Sequence, residues 1–457
     1  MTLQFQSTLA YLKNPPPGYQ QPAVDVMQVL DQIQNNITAG NYKNQYSFEA
    51  AVHLLVNRMH DAHVTLSAGI LDAFSFVSPY GVVSASVDGK QAPELYIAED
   101  LLQARLQGYT PSPVTKINGR DAIEVMTEFG ALNSEYLEPH AEWNSLMDSP
   151  ALFVSGDFST FQAGTFYPGD ELNATFKNGT TGETVWLSIY NELDDTGPLT
   201  TAGDFYNYFV LGLLPASYNE NSTWWPILAQ SNDTSDDNTT TMADLYKGLC
   251  DKGSPSASSW CEASFGSYPN NPDISQFDLD VTGGGVVTGY FFEDISTGVL
   301  SIPTFQQYDP NIEEFNNAVS DFIGNATKNN ISRVVIDLQT NPGGEVFLAY
   351  NTFKQFFYRT EPYAASRMRS HSLANTLGSS YSAWWRDLEK NFNDADGANA
   401  EFYGYAAAEE WVVVNRINAA TGGNFSSWAD YYGRVSANGD LFSAAVSTFR
   451  ILRTYFH

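Results

Sequence analysis

Arg333-Val-Val-Ile-Asp-Leu-Gln-Thr-Asn-Pro-Gly-Gly-Glu345 is the stretch on which the reading of this chain turns. Its apolar, β-branched opening, Val334 to Ile336, reads as a buried-type strand. Pro342 fixes one backbone angle, and Gly343 and Gly344 allow conformations closed to other residues. A helix is expected from about Glu345 to Phe357. Two successive N–H groups at such a helix start can point outward at negative charge, as in an oxyanion hole or a phosphate site. A phosphate loop would want a nearby Lys or a Gly-x-Gly spacing, and neither is present. An oxyanion hole and a plain tight turn both remain open.

Working outward, Gly298 to Phe305 reads as a strand, and Asn311 to Ile323 as a helix with Phe315, Val319 and Phe322 facing inward. Strand, helix, strand, turn and helix in this order predict a parallel α/β core. The remainder to His457 reads as mostly helical and aromatic-rich. Upstream, residues 81–87, 94–98, 113–119 and 183–190 read as short strands, with an Asn118-Gly119 turn leading into a helix start. Residues 192–275 are rich in Asn, Asp, Ser, Thr, Gly and Pro and read as a surface insertion. The expected fold class is a multidomain mixture of α+β and α/β. Its expected parts are an N-terminal helical region (1–75), a β-rich module (76–191), the insertion (192–275) and an α/β core (276–457).

In the N-terminal region, Val26, Val29, Leu30 and Ile33 share one helical face. A second helix is expected near Ser47, with Phe48, Val52, Leu55 and Met59 as its stripe. Continuing that stripe by four lands on His63, whereas His60 points about 100° away from Met59. An imidazole titrating near neutrality suits proton transfer. His60 and His63 have no third ligand cluster beside them, so no metal and no cofactor is expected.

The quoted stretch closely resembles the Asp-Leu-Arg-x-Asn-Pro-Gly-Gly segment of the tail-specific (C-terminal processing) serine peptidases. Ala349-Tyr-Asn-Thr-Phe-Lys-Gln-Phe-Phe and Tyr11-Leu-Lys-Asn-Pro-Pro are similar to the fungal secreted branch related to the chlamydial protease-like activity factor. The resemblance spans most of the chain. It implies that Val114 to Ala122 belongs to a PDZ-like module between the N-terminal helices and the protease core. His60-Asp61-Ala62-His63 looks like the Asp-x-His segment of that branch, which implies that His63 is the general base. Gly343 and Gly344 would supply the oxyanion hole.

The family also implies a nucleophilic serine in a Gly-x-Cys-x-Ser-Thr-Cys-like segment beyond the Asn-Pro-Gly-Gly helix, and a later Glu. Neither occurs in the sequence, and both cysteines precede residue 262. Ser379, Ser380, Ser443 and Ser447 lack the small neighbours that let a nucleophile stand exposed. Departure from the family pattern begins near Gly439-Asp-Leu-Phe, and Ser443 to His457 reads as a short, basic amphipathic tail. The expectation is a core incomplete at its C-terminal side, from a truncated gene product or a pseudoenzyme. Such a chain would be an inactive serine-type endopeptidase by descent. The alternative is a non-catalytic glycoprotein that binds peptides through the PDZ-like module or a vestigial cleft.

The chain has 457 residues, 43% of them hydrophobic, enough for two or three real cores. Its net charge of −30 argues against nucleic-acid binding, because little would neutralise phosphates. The expected partner is a polypeptide substrate or peptide ligand. No stretch of ~20 apolar residues suggests a membrane span. Asn-X-Ser/Thr sequons begin at Asn36, Asn173, Asn178, Asn221, Asn232, Asn238, Asn325, Asn330 and Asn424, which predicts secretion and N-glycosylation. No signal peptide is visible, so a removed signal is expected. Cys250 and Cys261 are either a disulfide closing a short loop or two separate thiols; with the sequons, the disulfide is expected.

Overall fold

The computed structural model describes residues 5–67, 69–191, 199–215, 250, 260–281, 284–307, 311–360, 362–391 and 411–447. The chain divides into two compact units, Met27–Leu348 and Met1–Val26 with Ala349–His457. Among the described residues it mixes helices and sheets throughout.

The larger unit opens with α1 (Val26–Thr38) and α2 (Gln45–Asn57). Asn44 caps α2: its Oδ1 accepts the Ser47 N–H at 2.9 Å, while Ser47 Oγ faces the Asn44 N–H at 3.4 Å. Ser47 is therefore part of a capping box one turn in, and the helix starts earlier than its hydroxyl suggested. Leu55 and Met59 are buried as the stripe requires. So is Glu49, whose carboxylate accepts the Ile70 N–H at 2.7 Å and the Gln45 amide at 2.7 Å. The carboxylate satisfies a donor at the start of the 3₁₀ turn Gly69–Ala73, which would otherwise be buried unpaired.

A β-rich module follows. Strand β1 (Phe74–Val77) pairs antiparallel with β8 (Leu187–Tyr190), and β2 (Val82–Ala85) with β3 (Glu94–Ile97). Helix α3 (Ala98–Gln107) leads to β4 (Val114–Ile117) and β5 (Arg120–Asp121). The turn residues Asn118 and Gly119 both have positive φ, 49° and 79°, as a two-residue hairpin demands. Asp121 then caps α4 (Ala122–Asn133), accepting the Ile123 and Glu124 N–H groups at 3.0 and 3.1 Å. Strands β6 (Ala174–Phe176) and β7 (Thr181–Gly182) complete a sheet of order β5-β4-β6-β7. Val114, Ile117, Met126, Phe129, Leu146 and Phe161 form its core. Strand β8 is shorter than residues 183–190 suggested and is exposed along its length, because it pairs only with β1.

A second four-stranded sheet of this unit contains β9 (Ile274–Ser275), β10 (Thr288–Phe292), β11 (Thr297–Ser301) and β12 (Arg333–Asp337), in the order β12-β11-β10-β9. Helix α5 (Asn311–Lys328) crosses over between β11 and β12, which are parallel; the other pairs are antiparallel. The core sheet is therefore mixed. Phe315, Val319 and Phe322 of α5 are fully buried, as expected. A Cβ at Gly289 or Gly298 would lie 2.6 or 3.0 Å from the Phe322 ring, so glycine lets the helix sit close. Tyr290 and Val286 pack with Trp260 and Tyr268 in a further cluster.

One reading is corrected. Strand β12 was expected to be buried, yet Val334, Val335 and Ile336 are 42%, 48% and 39% exposed. It is the edge of its sheet, and no described strand covers its outer side. An apolar run reports what a strand is suited to contact, and neighbours decide whether the contact is made.

The smaller unit contains helix α6 (Val346–Phe356) from Ala349 onward and α7 (Ser372–Asn391). It was expected to be mostly helical, but residues 411–447 carry short strands. Strands β13 (Ala365–Ser366), β14 (Ile417–Asn418) and β17 (Val446–Ser447) form a sheet of order β13-β17-β14. Between them lies the hairpin β15 (Val435–Ala437) and β16 (Asp440–Phe442). Asn438 and Gly439, with φ of 51° and 82°, form its two-residue turn. Val413, Phe425, Trp428, Tyr431 and Val446 make its core, and Asp440 pairs with Arg369. Residues 448–457 of the expected basic tail lie outside the described residues.

Candidate active site

The segment after β12 forms the turn that its sequence implied. Asn341 organises it: its side-chain amide donates to the Ile302 carbonyl at 2.7 Å, and its Oδ1 accepts the Gly343 N–H at 2.8 Å. Gly343 and Gly344 have φ of 104° and 131°, where only glycine is at ease. Gly344 bridges to Phe305 as a short parallel pair, with Phe305 N–H donating to the Gly343 carbonyl at 2.8 Å and Glu345 N–H to the Phe305 carbonyl at 2.9 Å. In such a pair the flanking residues face the partner, so the N–H and C=O of Gly344 point away from it. Gly343 was expected to be one of two oxyanion donors, but its N–H is engaged by Asn341 within the turn. Gly344 carries the outward N–H, and its backbone is exposed.

The His63 assignment rested partly on a helical face, and that argument does not survive. Helix α2 ends at Asn57, and His60 has a positive φ of 48°, which breaks the periodicity before His63. The His63 ring is 99% exposed; its Nδ1 lies 3.5 Å from Asp61 Oδ1, and Asp61 also accepts the His63 N–H at 3.0 Å. A ring this exposed makes no contact with the 341–344 turn. His60 is the buried member of the pair, with Nδ1 2.9 Å from the Tyr136 carbonyl and 3.6 Å from Glu142 Oε1. Burial pushes its imidazole below its usual range, with Glu142 and the Tyr136 carbonyl pulling the other way.

The structure also gathers titratable groups that no sequence motif links. A cavity of about 220 Å³ is lined by His53, Asp72, Asn133, Glu135 and Asn191, among others. Burial lowers the His53 imidazole, opposed by the Leu66 backbone and Asp72, and raises the Glu135 carboxyl. In the β-rich module, burial and then Asp148 push Glu99 up to about 7. His53, Asp72 and Glu135 meet at the cavity, and Glu99 meets Asp148, from segments far apart in sequence, so no local motif marks them. Among the described residues, no group of three or more His, Cys, Asp or Glu side chains is placed to hold a metal ion.

Cys250 and Cys261 form a disulfide, with Cα atoms 5.8 Å apart. Of the sequon residues, Asn178, Asn330 and Asn424 are exposed and Asn36, Asn173 and Asn325 half-buried. Asn221, Asn232 and Asn238 lie outside the described residues. No described helix is long and apolar enough to cross a membrane.

Comparison with known proteins bears on the same two regions. Residues 75–195 match a family described as the CPAF-like PDZ domain, and residues 296–392 match peptidase family S41. The S41 match includes β12 and the Asn341–Gly344 turn. The peptidase S41 family proteins phomP1' and phomP1 of Diaporthe leptostromiformis are each 25% identical over 460 residues, covering 95% of this chain and 60% of theirs. The chain thus spans about 60% of the length of these relatives. The peptidase S41 family protein ustP of Aspergillus flavus is 25% identical over 168 residues, 36% of this chain and 32% of that protein. A solved structure, mature CPAF complexed with lactacystin, aligns with 13% identity and a TM-score of 0.39 over 81% of this chain and 60% of that one. Residues 75–195 are thus similar to a CPAF-like PDZ domain and residues 296–392 to peptidase family S41, and with the fungal relatives they support a tail-specific protease-like family.

Proposed function

We propose that these 457 residues are the polypeptide-recognising and oxyanion-binding part of a tail-specific serine peptidase, and that alone they do not cleave peptide bonds. The observation that carries this reading is the Asn341–Gly344 turn: within the S41 segment, it aims the Gly344 N–H outward from a backbone that only glycine can adopt. Such a donor stabilises the oxygen of a tetrahedral intermediate. Attack also needs an activated serine and a base within hydrogen-bond reach of it. The sequence holds no serine in a nucleophile turn of the family type. Ser443, one candidate, is fully buried and donates to the Ala444 carbonyl at 2.9 Å.

His63 remains the proposed base, on the strength of the Asp61-Ala62-His63 motif and the Asp61 carboxylate beside its ring. Serving that role requires its exposed ring to be brought to a serine. Secretion and N-glycosylation belong to the same proposal and are supported by the spread of sequons and the Cys250–Cys261 disulfide. The test is to incubate the purified chain with an unfolded protein and a serine-reactive fluorophosphonate probe. The expected result is neither cleavage nor labelling. Labelling lost on His63→Ala would overturn the claim that the nucleophile is missing.

A second reading has its own support. The CPAF-like PDZ domain suits a chain that binds peptides without cutting them, because a PDZ sheet edge takes up an extended peptide as an added strand. Saturable binding of an unfolded polypeptide that persists in Gly344→Ala would favour this reading over a site centred on the turn.

A further inference from the structure

The cavity lined by His53, Asp72 and Glu135 has no part in the proposed peptidase chemistry. The residues of its wall all belong to the larger unit. At about 220 Å³ it is smaller than the roughly 300–1,000 Å³ of pockets for drug-sized ligands, so it suits a small group.

The hydrogen bonds of the wall leave an acceptor over. The Asn133 amide donates to the Phe129 carbonyl at 3.0 Å, and its Oδ1 accepts the Thr165 and Phe166 N–H groups at 2.8 and 3.1 Å. The Asn191 amide donates to the Asp72 carbonyl at 3.0 Å, and its Oδ1 accepts the Ser75 hydroxyl at 3.0 Å. Asn57 differs. It is only 5% exposed, and its amide donates to the Leu132 carbonyl at 2.7 Å. Its Oδ1 has no partner among the described residues, although a buried acceptor ordinarily has one.

Charge selects the donor that would meet it. Asp72 and Glu135 bring two carboxyls to the wall, and no Lys or Arg lines it. Neither carboxyl is ion-paired to a Lys or Arg among the described residues; Asp72 acts on His53 across the cavity. The His53 ring hydrogen-bonds the Leu66 backbone, and burial holds it below its usual range, so at pH 8 it adds no positive charge. Val56, Leu71 and Phe74 supply apolar wall. Among the described residues no group of side chains is placed to hold a metal ion, so the cation that fits is organic.

We propose that this cavity binds a primary alkylammonium group, with Asn57 Oδ1 and the Asp72 and Glu135 carboxylates as its acceptors. An ammonium has three N–H donors, one for each, and its alkyl stem suits the apolar wall. The group can come from a free small amine or from a lysine side chain. The proposal stands apart from peptide cleavage, since neither His63 nor the Asn341–Gly344 turn takes part.

The experiment is isothermal titration calorimetry of the full 457-residue chain at pH 8 and physiological salt. The probes are n-butylammonium chloride, N-acetyl-lysine-N-methylamide and, as the uncharged counterpart, 1-butanol. The expected result is saturable binding of at least one ammonium and none of the alcohol; the tighter of the two ammonium probes identifies the source. Asp72→Asn, Glu135→Gln and Asn57→Ala should each weaken binding about tenfold, the loss of one hydrogen bond to a charged group. The first two keep the side-chain shape, and circular dichroism checks that each variant is folded. Asp294→Asn removes an exposed charge outside the cavity and should leave binding unchanged. Acidification to pH 5 should weaken binding, because Glu135, raised by burial, gains a proton while His53 gains positive charge. Failure of both ammonium probes to bind overturns the proposal, as does equal binding of 1-butanol. So does an Asp294→Asn effect as large as that of Asp72→Asn, which would mean attraction to the net charge alone.

Discussion

Substituting alanine at Gly344 and, separately, at Gly343 tests whether the turn after β12 is built as its hydrogen bonds imply. Both glycines have positive φ, 131° and 104°, so either alanine carries backbone strain of roughly 1–3 kcal/mol. Their surroundings differ. A Cβ at Gly343 meets nothing within 4 Å, whereas one at Gly344 overlaps the backbone of Phe305 and Gln306. That overlap can be relieved only by parting the two segments, which breaks the Phe305–Gly343 and Glu345–Phe305 hydrogen bonds of 2.8 and 2.9 Å. Each is worth about 1 kcal/mol net. The expected losses are therefore roughly 3–5 kcal/mol for Gly344→Ala and roughly 1–3 kcal/mol for Gly343→Ala. Urea denaturation followed by tryptophan fluorescence measures both, with hydrogen exchange at Phe305 and Glu345 reporting the local break. Equal losses, or a larger loss at Gly343, would refute the reasoning and with it the claim that Gly344 is fixed against the 305 segment.

Further outcomes follow from the titratable groups. Glu99 has a folded value of about 7 against an ordinary 4.5, so the fold holds its proton more tightly than the unfolded chain does. Stability from this group is complete below pH 4.5 and is lost as pH rises through about 7. The full shift corresponds to about 3 kcal/mol, and solvent screening of this partly exposed carboxyl leaves roughly 1–2 kcal/mol. Glu99→Gln should accordingly gain stability relative to the wild type at pH 8 and show little gain at pH 4; a gain that does not vary with pH would reject the assignment. His60→Ala, which empties a buried position beside Glu142 and the Tyr136 carbonyl, should cost roughly 1–3 kcal/mol in urea denaturation. His63→Ala should change stability by less than about 0.5 kcal/mol, because its ring is solvated. Removing the disulfide with Cys250→Ser and Cys261→Ser should cost at most about 3 kcal/mol in calorimetry, given the short loop it closes.

Much of the local structure was legible in the chain. The buried stripe of Phe315, Val319 and Phe322, the Asn118-Gly119 hairpin and the turn at Asn341–Gly344 each follow from side-chain periodicity or from backbone freedom, which are properties of neighbouring residues. The family resemblance was legible for the same reason, since it lies in contiguous motifs. Where reading failed, the deciding contacts were distant. The hairpin turning at Asn438-Gly439 was missed, because a short strand pair is stabilised by the surface it packs on rather than by its own residues.

What the sequence determined by itself is therefore the set of local elements, the family resemblance and the glycine turn that ends β12. Tertiary structure alone decided three further matters. Among the described residues it placed β12 at the edge of its sheet, although its residues suit burial. It buried His60 and exposed His63, because α2 ends at Asn57 and a left-handed residue redirects the chain. It assigned the Gly343 N–H to the Asn341 side chain and turned that of Gly344 outward. The physical reason is common to all three. Propensity and periodicity act between residues a few positions apart, whereas burial, pairing and the direction of a free N–H depend on which distant segment arrives alongside.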